Sequence, residues 1–380
     1  MSVTTVNHAE LARALAFASL GLSRYPVTPV LTAVRVTAGP AGLQLAAFDC
    51  ETHASATVAG DTDYAAPAIL VYGSELTAAV RSLPAGKGTG RVTVTVAGDG
   101  LTLLCDGWEA PVAALPAEAA AGYPQFPPLP PLTVTLDGEA FARSALRTAA
   151  CAGTDDTLPV LTCVNMTFSE DTGTLVMAAT DRYRLAVDTQ PADGTDGTSL
   201  VSAVLLAKFA RACDKAGKVS AGLGGEHAAL SDGTRTLITR AGTGEFIRYK
   251  SRMEGEYPTT VTASAPALLK VVARAGKVTG KNERLGFEVS EAGVKLTAVR
   301  DGKASGTQTV PATVTGPPAE TGFSPGHLAG VLPGIAGDVV IGLPADAGSK
   351  PARVSSDDGF TAIVVPLRRP ESPYPKAAAA

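Results

Sequence analysis

The chain has 380 residues, of which 45% are hydrophobic and 18% charged, and its formal net charge is −4. That length predicts about two to four domains, and the apolar share is enough for ordinary packed cores. The acidic balance excludes a uniformly basic nucleic-acid binder, while leaving room for a locally basic face.

No stretch approaches the ~18–20 apolar residues of a membrane-spanning helix, so no membrane partner is expected. The first residues lack the basic and then apolar pattern of a signal peptide. Five cysteines (Cys50, Cys105, Cys151, Cys163 and Cys213) form no Cys-x-x-Cys pair, and their odd number predicts reduced thiols in the cytoplasm.

Asn7 and Glu10 mark the start of a helix over Ala9–Gly21, as N-cap and capping-box residue. Two alternating apolar runs follow from Leu43, with Asp49 between them, then a helix over Ser74–Leu83. From Val92 the chain reads as hairpins, period-2 runs broken by Gly/Asp turns. A Pro/Gly-rich joint spans Ala121–Pro131. The order then repeats: a helix over Glu139–Ala152, a strand pair from Leu175 around Asp181, a helix over Val204–Gly217 and hairpins from Lys218. After a second joint near Gly255–Pro258 comes a helix over Ala265–Lys277, capped by Ser264 with Pro266 early in its first turn. A strand pair from Val294 around Asp301, a helix over Ser324–Leu332 and hairpins from Val339 complete the third round.

A unit of roughly 125 residues is long enough for its own core, so the repeat is a domain and not a solenoid element. The expected domains are 1–130, 131–256 and 257–370, with a disordered tail over 371–380. Helices separated by long all-β stretches predict an α+β fold of antiparallel sheets with helices on one face.

Three of these helices carry cations opposite their apolar stripe. Arg143 and Arg147 share a face behind Phe141 and Leu146. Lys208, Arg211 and Lys215 lie opposite Leu206 and Phe209, and Lys270, Arg274 and Lys277 opposite Leu268 and Val272. Recurrence at matching places in three repeats predicts a cationic track for a phosphate backbone, read without regard to sequence. Catalytic signals are missing. Gly86–Gly90 and Gly276–Asn282 lack the P-loop spacing, and His8, His53, His227 and His327 are scattered. Asp49, Asp181 and Asp301 recur at equivalent places, which points to turn-holding. No catalytic residue, metal or cofactor is expected.

The residues also resemble a known family. Thr180-Asp181-Arg182-Tyr183-Arg184-Leu185-Ala186 is similar to the Thr-Asp-Gly-His/Tyr-Arg-Leu-Ala segment of the bacterial DNA polymerase III beta subunit, the sliding clamp. Leu158-Pro159-Val160-Leu161, Arg24 with Pro26 and Pro29-Val30-Leu31, Gly244-Glu245-Phe246 with Tyr249, and Val364-Val365-Pro366-Leu367-Arg368 match further segments in order over residues 1–368.

The resemblance implies three tandem repeats of the DNA-clamp fold, with antiparallel sheets outside and two helices per domain inside. It implies a head-to-tail homodimer closed around double-stranded DNA, a processivity factor and not an enzyme. DNA would be faced by Arg24, Arg143, Arg147, Lys208, Arg211, Lys215, Lys270, Arg274 and Lys277. Partners would be DNA polymerase III alpha, clamp-loader subunits and other polymerases, each inserting a short linear peptide with Gln and apolar anchors, of the Gln-Leu-x-Leu-Phe type. Its pocket would use Leu161, Thr180, Arg182, Tyr183, Arg184, Leu185, Ile247, Val364, Val365, Pro366, Leu367 and Arg368. Arg182 and Ile247 stand where the family has Gly and Pro, Ser251-Arg252 stands where it usually has Arg-Val, and the terminal segment continues past Arg368 as Arg369-Pro370. These departures raise an alternative: an additional clamp copy that tolerates a clamp-directed antibiotic or serves a specialised polymerase.

Overall fold

In a computed structural model, residues 1–63, 65–84, 90–280 and 283–367 are described. The expected tail over 371–380, Lys281 and Arg368 lie outside them, as does most of the Gly86–Gly90 segment. Eight α-helices occur among the described residues: α1 (His8–Ala18), α2 (Gly73–Ser82), α3 (Ala117–Ala120), α4 (Gly138–Ala149), α5 (Ala203–Ala212), α6 (Lys250–Met253), α7 (Ala265–Gly276) and α8 (Pro325–Val331). None is long and apolar enough to cross a membrane.

The caps behave as their residue types dictate. Asn7 Oδ1 accepts from the Ala9 and Glu10 amides at 2.9 and 3.2 Å, and Ser264 Oγ from the Ala267 amide at 3.4 Å. Asp137 Oδ1 likewise accepts from the Ala140 amide at 2.9 Å at the head of α4. The expected extension of α5 to Gly217 does not occur. Cys213 is extended, the Asp214 amide donates to Asp232 Oδ2 at 2.9 Å, and Asp214 Oδ1 accepts from the Ala216 amide. These bonds draw the chain off the helix axis.

The chain divides into two compact units. Unit 1 comprises residues 1–142, 166–174 and 191–242. Its nine-stranded antiparallel sheet runs in the order Asp193–Gly194, Val134–Asp137, Lys218–Gly222, His227–Ser231, Arg235–Arg240, Thr52–Val58, Gly42–Phe48, Ala33–Gly39 and Ile69–Tyr72. Its middle pairing joins Arg235–Arg240 to Thr52–Val58, with Leu237 opposite Ala54. A five-stranded sheet runs Asp61–Thr62, Ser2–Asn7, Arg91–Ala97, Gly100–Cys105 and Trp108–Ala113. Phe209 of α5 lies edge-on to Phe17 of α1 and Phe141 of α4, at 6.0 and 5.7 Å between ring centres. The Pro-rich joint is tied down: Tyr123 Oη accepts from the Phe48 amide at 3.1 Å, and the Phe126 ring lies 4.4 Å from buried His53.

Unit 2 comprises residues 143–165, 175–190 and 243–380. Its strands Arg184–Pro191, Phe360–Val364, Ala352–Ser355, Asp338–Leu343, Thr259–Ser264 and Thr313–Thr315 are neighbours in that order. Arg184 pairs with Val364, and Asp188 with Phe360. A four-stranded sheet runs Lys303–Val310, Gly293–Arg300, Leu285–Ser290 and Ala319–Phe323. One apolar core, including Leu268, Val272, Phe287, Phe323, Phe360 and Val364, lies under α7 and α8.

The aspartates treat their turns in two ways. Asp49 Oδ1 accepts from the amides two and three residues on at 3.0 and 2.7 Å, and Asp181 Oδ1 does the same at 2.9 and 2.7 Å. The next residue is left-handed in both, with φ 78° at Cys50 and 80° at Arg182. Asp301 instead takes φ 52° itself, followed by Gly302 at 71°, so its hairpin closes with a two-residue turn of the primed type.

Candidate functional site

A cavity of about 480 Å³ opens in unit 2. Thr180, Arg182, Tyr183, Arg184 and Leu185 supply one wall, Leu161 and Ile247 flank it, and Ile363 and Val365 line it from the last strand and its continuation. Ser251, Arg252, Glu254 and Pro351 complete the lining. The turn carrying the first wall is held rigidly. Thr180 Oγ1 donates to the Arg184 carbonyl at 2.5 Å and accepts from the Arg182 amide at 3.1 Å. The Arg184 guanidinium is already paired, with Nε and Nη2 at 3.0 and 2.8 Å from Asp181 Oδ2. The Val365 amide donates to the Tyr183 carbonyl at 2.9 Å, fixing the terminal segment against this turn.

The structure thus gathers eight of the expected pocket residues in one cavity: Leu161, Thr180, Arg182, Tyr183, Arg184, Leu185, Ile247 and Val365. Val364 is a correction. It is fully buried in the core of unit 2, because alternation along the strand sends Ile363 and Val365 one way and Val364 the other. Pro366 is buried and does not line the cavity. Leu367 lines a neighbouring hollow of about 700 Å³ between α7 and α8, which Tyr183 also borders. There the Tyr183 ring stacks on His327 with centres 5.4 Å apart. Burial first, and then the nearby Arg184 charge, pushes the His327 pKa down. Ser251 and Arg252, a departure from the family pattern, were expected to affect the pocket but not named among its lining, and Glu254 and Pro351 were not expected. They lie in irregular or short helical segments, where no periodicity marks a lining residue.

The basic set is partly corrected. In unit 1, Arg24 and Arg211 are exposed, and Lys208 is half-buried. Burial, and then the Arg24 charge, lowers the Lys208 pKa, so these two cations are neighbours. Lys215 is exposed in the bend after α5, not on the helix. In unit 2, Lys270, Arg274 and Lys277 are exposed along and just past α7, and Arg274 Nη1 donates to Gln308 Oε1 at 2.6 Å.

Arg147, expected on an outer face, is 3% exposed. It reaches Asp358 through Nη1 at 2.9 Å and Nη2 at 2.6 Å, and Asp188 through Nη1 at 3.4 Å. Its Nη2 also donates to the Gly334 carbonyl, and its guanidinium stands 5.3 Å from the Phe360 ring centre. Arg143 is half-buried, with Nε 3.4 Å from Asp358 Oδ2. The reason is long-range: Asp358, in the turn before Phe360–Val364, claims both arginines and Asp188, on Arg184–Pro191, claims Arg147, and a buried cation is retained only with such partners.

The fold is that of solved DNA polymerase sliding clamps. The Streptococcus pyogenes beta subunit superposes with a TM-score of 0.83 at 17% identity, over 97% of this chain and all of that one. The Pseudomonas aeruginosa clamp bound to griselimycin gives 0.82 at 21%, over 97% of this chain and 100% of that one. In sequence, residues 2–127 match the N-terminal domain of the DNA polymerase III beta subunit, and residues 135–258 match its central domain. The Micrococcus luteus beta sliding clamp is 32% identical over 316 residues, 82% of this chain and 99% of the relative. The beta sliding clamp homolog GriR of Streptomyces muensis is 26% identical, over 84% of each chain.

The chain belongs to the DNA polymerase III beta subunit family, the beta sliding clamps. Its function is that family's: it serves DNA replication as a sliding clamp, with DNA, polymerases and a second clamp copy as partners in general.

Proposed function

We propose that two copies close head to tail into a ring, each contributing three clamp domains near residues 1–130, 131–256 and 257–370. The observation that carries this is a pairing rule. The last strand of each hairpin group binds the strand after the aspartate turn of the preceding repeat. Arg235–Arg240 pairs with Thr52–Val58, and Phe360–Val364 with Arg184–Pro191. The rule leaves two counterparts open: Trp108–Ala113 ends the five-stranded sheet, and Lys303–Val310 ends the four-stranded one. Joined between copies, they would make a nine-stranded sheet like the one in unit 1. Both are free edges of the kind that template pairing with another chain. Pro111 takes one donor out of the first edge, so the remaining groups carry that ladder. The two contacts are heterologous and terminate by closing the ring.

Inside such a ring, Arg24, Lys208, Arg211, Lys215, Lys270, Arg274 and Lys277 would face duplex DNA. Their contacts would be to phosphates, interchangeable from one register to the next, so the ring slides. The unit 2 cavity would hold the apolar anchors of a short partner peptide from DNA polymerase III alpha, the clamp loader or another polymerase. A polymerase so held stays at high effective concentration at the primer end. No bond is made or broken by the clamp, which would act in the cytoplasm.

The test is retention after loader-assisted assembly. Closed circular DNA should hold the protein, and linearisation should release it. Equal loss from both would refute topological tethering.

A second reading is favoured by Arg182. A cation stands in the cavity lining at a left-handed position that suits glycine. A clamp copy reshaped there would tolerate a pocket-directed antibiotic or serve a specialised polymerase. Binding of a pocket-directed inhibitor by the protein and by Arg182→Gly separates the readings, since equal affinity removes the second.

A further inference from the structure

The lining of the unit 2 cavity carries three guanidinium groups in different electrostatic states. Arg184 is neutralised by Asp181 at 2.8 Å. Arg182 and Arg252 are both exposed, on different segments of the lining, and among the described residues no carboxylate lies within ion-pair distance of either. Among the described residues, the only carboxylate in the lining itself is Glu254. With the Asp181–Arg184 pair cancelled, the described lining keeps two arginines against one carboxylate, in a chain whose overall charge is negative.

The Arg182 side chain is also presented from a fixed base. Its amide donates to Thr180 Oγ1 at 3.1 Å, and Asp181 Oδ1 receives the next two amides, which hold φ at 80°. A rigid base lowers the entropy lost when the guanidinium meets an anion. Asp155 lies near enough that the Arg182 charge contributes to holding its carboxyl below the usual range, after hydrogen bonds from Thr157. The Arg182 charge therefore reaches one carboxylate outside the lining.

We propose that Arg182 and Arg252 make the cavity selective for linear peptides that carry carboxylates flanking their apolar anchors. This rests on reading the cavity as the partner-peptide pocket. Apolar anchors supply the bulk of the affinity, and the two arginines discriminate among flanks through charge-assisted bonds that Arg can make bidentate. The selectivity is electrostatic and exposed, so salt weakens it.

The test compares two labelled peptides, a Gln-Leu-Ser-Leu-Phe core flanked on both sides by two Glu or by two Gln, by fluorescence anisotropy. The Glu-flanked peptide should bind about fivefold more tightly at low salt, a ratio that shrinks as salt rises. In the double variant Arg182→Gly with Arg252→Gln the ratio should fall to about one. Glycine fits the backbone at position 182, so this variant folds. Equal binding of both peptides by the native protein overturns the selectivity and leaves the pocket reading standing. Binding of neither peptide overturns the pocket reading and the selectivity together.

Discussion

Arg147 and Asp358 form a two-pronged ion pair in unit 2, with Nη1 2.9 Å from Oδ1 and Nη2 2.6 Å from Oδ2. Asp188, wholly buried, stands 3.4 Å from the same guanidinium, and Gln190 Nε2 donates to Asp188 Oδ1 at 2.6 Å. The cluster therefore sits at the Asp188–Phe360 end of the strand pair whose other end, Arg184–Val364, borders the cavity.

Arg147 is accordingly a stability residue. Arg147→Met leaves buried Asp188 without its cation and should cost roughly 3–5 kcal/mol in denaturant unfolding. The salt slope of DNA retention should stay as it was. Lys270→Gln with Lys277→Gln should do the reverse, flattening the slope by about two with little change in stability. A flattened slope for Arg147→Met would restore it to the DNA face.

Arg182 holds a left-handed backbone that costs a non-glycine residue about 1–2 kcal/mol. Arg182→Gly relieves that cost and gives back part of it in unfolded-state entropy. The net expectation is a gain of about 1 kcal/mol, whereas Arg182→Ala, which keeps the Cβ, should gain nothing. Denaturant midpoints of the three proteins decide it, and a stabilised alanine variant contradicts the strain.

His53 sets an acid-side dependence. Burial, helped by the Arg35 charge, lowers its pKa from 6.5 to about 4. The folded state thus binds fewer protons than the unfolded state between those values. Stability falls as pH drops from about 6.5 toward 4, by roughly 2–3 kcal/mol, and levels off below. His53→Gln should flatten this part of the melting-temperature curve.

Asp358 acts lower down. Burial opposes its ionisation, but hydrogen bonds from Arg147 and Ser356 and the charges of Arg147 and Arg143 outweigh it and hold the carboxyl at about 2. Its contribution is present above the ordinary carboxylate value of 3.8 and is lost as pH falls toward 2. Asp358→Asn should remove that step from an acid titration followed by circular dichroism.

Phe209 contacts rings from two other helices in unit 1. Phe209→Ala should cost about 3–5 kcal/mol, and a loss under 1 kcal/mol would show that the site collapses without a cavity.

Helix starts were legible because their signals are local: Asn7 and Ser264 cap the helices that they precede. The aspartate turns were legible for the same reason at Asp49 and Asp181, while Asp301 carries the turn through its own backbone. Arg147 was not legible, since its carboxylate partners lie 41 and 211 residues away in sequence. The i, i+4 spacing with Arg143 describes a shared side of α4 but not what covers it. In the cavity, motif resemblance located the Thr180–Leu185 wall. Period-2 alternation would have separated Val364 from Ile363 and Val365, and the resemblance alone did not. Arg252 stood out only as a departure from the family pattern, and Pro351 had no pattern to betray it.

Ring closure through the edges Trp108–Ala113 and Lys303–Val310 is tested most directly by the mass in solution. Sedimentation equilibrium should give twice 38.3 kDa at micromolar concentration, and a proline pair placed in Lys303–Val310 should shift the population to monomer. A native chain that stays at 38.3 kDa at every concentration would contradict the account.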